Sequence, residues 1–127
     1  MIESAGDETL ARRIGERAWI WNGQWQRAHG TAAAMIVMPA AQAVALPDGT
    51  GFAESACLGI PALTAFDAIR LLGDVQGKTV LVIGATSAVG HYAVQMAVLA
   101  VATVIGTVGS AERVQHALAA GVATTIH

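Results

Sequence analysis

Thr79-Val80-Leu81-Val82-Ile83 is an unbroken aliphatic and β-branched run of strand length, and it leads straight into Gly84-Ala85-Thr86-Ser87-Ala88-Val89-Gly90. A run without polar alternation reads as a strand buried on both faces. The pattern from His91 to about Val101 predicts a helix, and Thr103 to Thr107 predicts a second buried strand. Gly109-Ser110, a helix from Ala111 to Ala120 stopped by Gly121, and a third strand from Val122 to Ile126 complete the series. Strand, glycine turn, helix, strand, helix, strand is a βαβαβ unit, half of a doubly wound parallel fold.

The residues before it read differently. Glu16 to Trp21 and Met35 to Met38 are short apolar runs that predict strands, bounded by Asn22-Gly23 and by Pro39. Asn22-Gly23 predicts a tight hairpin turn, because both central positions of that turn favour positive φ. After a turn at Pro47-Asp48-Gly49-Thr50, Phe52 to Ala56 starts a helix. From Pro61, the positions Leu63, Ala65, Phe66, Ile69 and Leu72 recur at helical spacing, and Gly73 ends the pattern. Trp19, Trp21 and Trp25 flank the hairpin turn and are expected to pack a β-rich domain, with a ring-stacking role as the alternative.

Composition narrows the function classes. With 54% hydrophobic and 13% charged residues and a mean hydropathy of +0.55, the chain is not disordered. A formal charge of -2 gives no field to gather a phosphate backbone, so nucleic acid is not an expected partner. The single cysteine, Cys57, can build neither an internal disulfide nor a thiolate metal site, and reads as a small buried hydrophobe. A cytoplasmic setting follows, since Met1 to Arg13 carry Glu3, Asp7 and Glu8 and no apolar signal region. The aliphatic stretch from Ala93 to Val108 is too broken for a bilayer span of about 20 residues, so no membrane is expected.

The turn from Gly84 to Gly90 is where chemistry is expected. A parallel strand turning sharply into a helix leaves the helix's first N–H groups without internal partners, and the dipole favours an anion there. Gly84 and Gly90 stand at the outer positions of a GxxGxxG pattern, with Ser87 where the middle glycine would be. The alternative is close strand-to-helix packing with no ligand. Ser87 either narrows the approach of a pyrophosphate or donates its hydroxyl to one. At the end of the second strand no carboxylate is present to hold a ribose 2′-hydroxyl. Instead Gly106-Thr107-Val108-Gly109-Ser110 is followed by Arg113, and a hydroxyl with a guanidinium suits a 2′-phosphate, so NADPH is the expected cofactor. Helix capping by Ser110 and a plain exposed charge at Arg113 are the alternatives.

Several segments together resemble the NADPH:quinone reductase (zeta-crystallin-like) branch of the medium-chain dehydrogenase/reductase superfamily. They are Gly23-Gln24-Trp25, Gly30-Thr31-Ala32-Ala33, Leu46-Pro47-Asp48-Gly49, Ala56 to Ala65, Gly77 to Val82, and Ile105 to Ser110. The resemblance implies an α/β chain in which residues 1–62 finish a GroES-like β-rich catalytic domain. Residues 63–127 then form the first βαβαβ half of a Rossmann-type NADP-binding domain. It implies that Thr64 stands near the nicotinamide and that Ala88 and Val89 belong to the pyrophosphate turn. Together with the residues above, the expected cofactor contacts are Thr64, Gly84, Ser87, Ala88, Val89, Gly90, Thr107, Gly109, Ser110 and Arg113. Zinc-dependent relatives carry a catalytic cysteine near Ile60, which nothing here replaces, so no metal is expected.

The implied reaction is hydride transfer from NADPH to a quinone or an activated alkene or carbonyl, in a homodimer. No side chain of this chain is assigned acid or base work. His29, His91, His116 and His127 are scattered without a nucleophile pattern, and His91 reads as a surface histidine or, alternatively, a pyrophosphate contact. The chain departs from the family in two ways. Val101 and Val98 stand where members carry a helix-ending glycine and an outer basic residue. Members also begin upstream and continue beyond His127, so the expectation is an incomplete oxidoreductase, or else a non-catalytic nucleotide-binding or dimerising remnant.

Overall fold

The computed structural model describes all residues from Met1 to His127, and they divide into two compact units, Met1–Ile60 and Pro61–His127.

In the first unit a short helix α1 (Glu8–Ala11), with Asp7 capping the Leu10 amide, precedes strand β1 (Ala18–Ile20). Its antiparallel partner is β2 (Ala43–Ala45), with Trp19 opposite Val44. The strand expected at Met35–Met38 is not formed. That segment carries no regular secondary structure, and Met35 and Val37 are exposed. Pairing passes instead to the less apolar Ala43–Ala45, because a single 3-10 turn at Ala40–Gln42 sets those residues beside β1. Asn22 does take positive φ (+55°), but it opens a long loop and not a tight hairpin, since β1 meets a strand more than twenty residues later. The unit ends on α2 (Phe52–Ala56), whose first turn is tied by Glu54 accepting from the Gly51 amide at 2.7 Å.

Arginine side chains brace this unit. Arg13 grips Glu16 and donates to the carbonyls of Ala40 (3.3 Å) and Ala43 (2.7 Å), which clamps the entry to β2. Arg27 donates to Val37 O at 2.6 Å, and Arg17 donates to Thr50 O while its guanidinium lies 4.7 Å over the Phe52 ring.

In the second unit the expected βαβαβ order is present. Helix α3 runs from Gly59 to Leu71 with Pro61 in its first turn, and Gly73 at φ +71° follows its end. Strands β3 (Thr79–Val82), β4 (Thr103–Thr107) and β5 (Thr124–Ile126) form a parallel sheet in that spatial order. Val82 pairs with Gly106 and Gly106 with Thr125. Helix α4 (Ala88–Leu99) joins β3 to β4, and a 3-10 turn (Ala111–Arg113) with α5 (Val114–Ala119) joins β4 to β5. The core lies where α4 and α5 meet the sheet: Val94 and Val104 are fully buried among Val82, Ala85, Ala97, Ala117 and Val122. Alanine on the helix side allows the close approach; Gly106 leaves room for Ala85, 2.7 Å from where a Cβ would stand.

One expectation fails here. β3 is covered on one face only: Val82 is buried, while Leu81 is 56% and the following Ile83 80% exposed. Alternation along β3 follows burial, but both faces are aliphatic, so the residue types hide it. No helix is long and apolar enough to cross a membrane, and the Ala93–Val108 stretch resolves into the end of α4 and strand β4.

Helix α4 ends with the Ala102 amide donating to Ala97 O and the Val101 amide to Val98 O. That double closure requires a left-handed residue, and Val101 supplies it at φ +62°. A β-branched residue there costs about 1–2 kcal/mol. The missing glycine is therefore felt in the backbone. Val98 is 38% exposed and leans on Gly121, whose bare Cα (φ +108°) makes room for it.

Candidate functional site

The chain from Ile83 to Ser87 is a turn, not a continuation of helix. Gly84 is left-handed at φ +71°, and strand β4 holds it from behind: Thr107 Oγ1 accepts the Gly84 amide at 2.8 Å and Thr107 O the Ala85 amide at 2.9 Å. The Ser87 amide closes on Gly84 O at 2.8 Å. Gly90 is needed for packing, because a Cβ there would stand 2.1 Å from Gly84 O. Ser87 is the N-cap of α4, and its hydroxyl accepts the Gly90 amide at 3.0 Å.

The amides of Gly84, Ala85, Ser87, Gly90 and His91 all have partners within the chain. Those of Thr86, Ala88 and Val89 have none, and Ser87, Ala88 and Val89 are exposed. Two helix-terminal N–H groups thus face outward at the positive end of a twelve-residue helix, with the Ser87 hydroxyl hydrogen beside them. Such a cradle fits a phosphate group.

At the end of β4, Thr107 is held beside this turn by its bonds to the Gly84 and Ala85 amides, and Val108, Gly109 and Ser110 follow it in the chain. Gly109 faces open space. Ser110 precedes the 3-10 turn without a side-chain capping bond, so its hydroxyl is uncommitted. Arg113 is exposed and forms no ion pair, with Glu112 its neighbour in sequence. A hydroxyl and a guanidinium are groups that can bond a phosphate. Thr107 serves the turn itself. Thr64 lies exposed on α3, and no hydrogen bond joins it to the turn.

His91 is not a plain surface residue. It is half-buried in the second turn of α4, and its ring stacks on His116 of α5 with centroids 4.6 Å apart and planes 10° from parallel. Its Nδ1 is buried without a hydrogen-bond partner. Burial first, and then the neighbouring His116, hold the His91 pKa below the ordinary imidazole value. Sequence spacing gives no sign of this pair, since the two residues meet only because α4 and α5 lie on one face of the sheet.

In the first unit, two more expectations are corrected. Cys57 is exposed, because it follows the end of α2 instead of lying on its covered side. Trp25 is 67% exposed, so it does not pack a core, while Trp21 spends its indole N–H on Ala41 O at 3.2 Å.

No protein-family model matches the chain. Among its relatives, a quinone oxidoreductase of Pseudomonas aeruginosa is 29% identical over 126 residues, which is 98% of this chain and 38% of that protein. A chloroplastic quinone-oxidoreductase homolog of Spinacia oleracea is 37% identical over 91 residues, 65% of this chain and 28% of that one. The solved quinone oxidoreductase of Pseudomonas syringae superposes with a TM-score of 0.64 at 37% identity, over 70% of this chain and 28% of that structure. The chain belongs to the quinone reductase branch of the medium-chain dehydrogenase/reductase superfamily. Its α/β fold is that superfamily's partial GroES-like segment followed by the first half of the Rossmann domain. The likeness extends across the superfamily. An NAD-dependent alcohol dehydrogenase gives TM-score 0.72 at 37% identity over 77% of this chain and 29% of its own. The Escherichia coli quinone oxidoreductase, solved with NADPH, gives 0.61 at 32% over 68% and 27%. The chain spans between 4% and 38% of the length of the curated relatives it matches.

Proposed function

We propose that the chain carries the phosphate-binding part of a nicotinamide-dependent oxidoreductase whose cofactor is NADPH and whose substrate is a quinone or an activated alkene or carbonyl. The observation that supports it most is the turn after β3, where the Ala88 and Val89 amides lie exposed without internal partners. In this reading those amides and the Ser87 hydroxyl hold the pyrophosphate. Gly84 and Gly90 shape the turn and Thr107 anchors it. Open space at Gly109 admits the adenosine ribose, and Ser110 and Arg113 take the 2′-phosphate. Thr64 lies toward the nicotinamide end. The bound nicotinamide would supply hydride to an electron-poor carbon or carbonyl. The residues of this chain orient it; none is assigned a proton transfer.

NADPH is favoured over NADH by the absence of a carboxylate at the end of β4, where Ser110 and Arg113 stand uncommitted. Titrating the chain with each nucleotide tests this. NADPH should bind saturably, and Arg113→Ala should weaken it about tenfold while leaving NADH nearly unchanged, as expected for a lost charge-assisted bond. Equal losses for both would remove the 2′-phosphate role. A second reading, a non-catalytic remnant, draws support from Val101, whose strained backbone an active lineage would be expected to relieve with glycine. Absence of any nucleotide binding would favour it.

A further inference from the structure

Two imidazoles join the helices that carry the candidate phosphate groups. His91 follows Gly90 on α4 and donates its amide to Ser87 O at 2.8 Å, so its backbone is tied to the turn after β3. His116 stands on α5, one turn beyond Arg113. Their rings stack with centroids 4.6 Å apart and planes 10° from parallel. At the far end of α4 the contact is aliphatic: Val98 Cγ2 lies 2.9 Å from where a Cβ on Gly121, just past α5, would stand. The two helices are thus joined at both ends, and the join nearest the phosphate groups is made of rings that can take up charge.

No strand of the sheet carries an ionisable residue, and α4 adds only Tyr92. On α3, Asp67 and Arg70 pair with each other. Glu112 and Arg113 before α5 and His127 after β5 are exposed. His116 is therefore the ionisable group set against the His91 ring, and after burial it is what holds the His91 pKa below the ordinary imidazole value. A charged His91 ring would carry N–H groups at both nitrogens, and its buried Nδ1 has no acceptor in the chain. The stack belongs to the neutral rings.

We propose that the stacked His91 and His116 are a positioning pair for cofactor choice. The stack sets the distance from the Ala88 and Val89 amides to Ser110 and Arg113, and hence whether one nucleotide meets both with its pyrophosphate and its 2′-phosphate at once. A nucleotide without the 2′-phosphate needs only the first of these. The pair therefore acts on the preference between the two nucleotides and not on affinity for both. Its effect runs through Ser110 and Arg113 and requires no contact with the cofactor. The inference rests on the cofactor reading given above.

Equilibrium dialysis of the intact chain against NADP+ and NAD+, the acid-stable oxidised forms, tests it. Well above the ordinary imidazole value of about 6.5, a preference for NADP+ is expected. His116→Ala should cut that preference about fivefold, through weaker NADP+ with NAD+ unchanged, and with unchanged circular dichroism. His116→Phe supplies a flat ring that can hold the stack, and should keep the preference. At about pH 5 both imidazoles of the native chain gain protons and repel, so its preference should fall further than that of His116→Phe; protonation of the 2′-phosphate, with a pKa of about 6, is common to both chains. Equal weakening of both nucleotides by His116→Ala, as from a merely loosened fold, overturns the proposal, and so does a Phe variant that behaves like Ala. If the native chain binds neither nucleotide, the cofactor reading falls and the pair's role falls with it. A native preference for NADP+ that survives His116→Ala removes the pair alone.

Discussion

Leu46 alone among the apolar residues of Met1–Ile60 is buried, whereas Pro61–His127 encloses Val82, Val94, Val104, Val108, Val122 and a set of alanines. The first unit keeps its shape through side chains bonded to backbone carbonyls, chiefly those of Arg13, Arg17, Arg27 and Trp21. The second keeps its shape by burying aliphatic surface, each such valine contributing roughly 1.5–3 kcal/mol. The two units are of similar length, so the difference lies in how much apolar surface each encloses and not in size. Directional bonds therefore fix a loop-rich surface where packing does not, and the candidate site stands on the packed side of that division. The turn between β3 and α4 lies on a packed strand-to-helix corner.

The sharpest way to break the contrast is at that corner. Gly90→Ala places a methyl against Gly84 O, so α4 must lift from the turn; a loss of about 3 kcal/mol is expected, read by denaturant unfolding. Tertiary signals of the tryptophans, all of which lie in the first unit, should persist. Arg13→Ala is the counterpart in that unit. It leaves the carbonyls of Ala40 and Ala43 and the Glu16 carboxylate without their partner, and that unit should lose stability, visible as tryptophan emission changing at lower denaturant. A loss confined to Pro61–His127 would reverse the division of labour.

Val101→Gly should act the other way. Relief of the left-handed valine is offset in part by glycine's entropy, leaving a gain of about 1 kcal/mol measured as a higher midpoint. The smallest effect is pH-dependent and belongs to the second unit alone. His91 has a lowered folded-state pKa, so the unfolded chain takes up its proton first as pH falls. Stability is complete above the ordinary imidazole value of about 6.5, declines as pH drops below it, and levels off beneath the folded pKa. His91→Gln should flatten that decline; an unaltered slope would assign it to other groups.

Much of the second unit was legible because its elements repeat one period each: aliphatic runs for strands, glycines at Gly73, Gly84 and Gly121 where positive φ is needed. The glycine turn was placed correctly because a strand ended on it. What escaped reading was long-range. Met35–Met38 has a better strand composition than Ala43–Ala45, yet pairing is decided by which segment the 3-10 turn delivers to β1. Both faces of β3 are aliphatic, so composition could not tell the covered face from the open one. Cys57 and Trp25 belong to types that usually bury, and here loop geometry overrides type. The stacking of His91 on His116 depends on helices brought together by the sheet.

The clasp between Thr107 Oγ1 and the Gly84 amide carries one more consequence. That hydrogen exchanges with solvent only when the hydroxyl lets go, so its exchange rate is a local clock for the whole corner. An anion seated on the neighbouring amides would slow the clock without touching it, and isotope labelling at a single backbone nitrogen would then register occupancy even in a chain that turns over nothing.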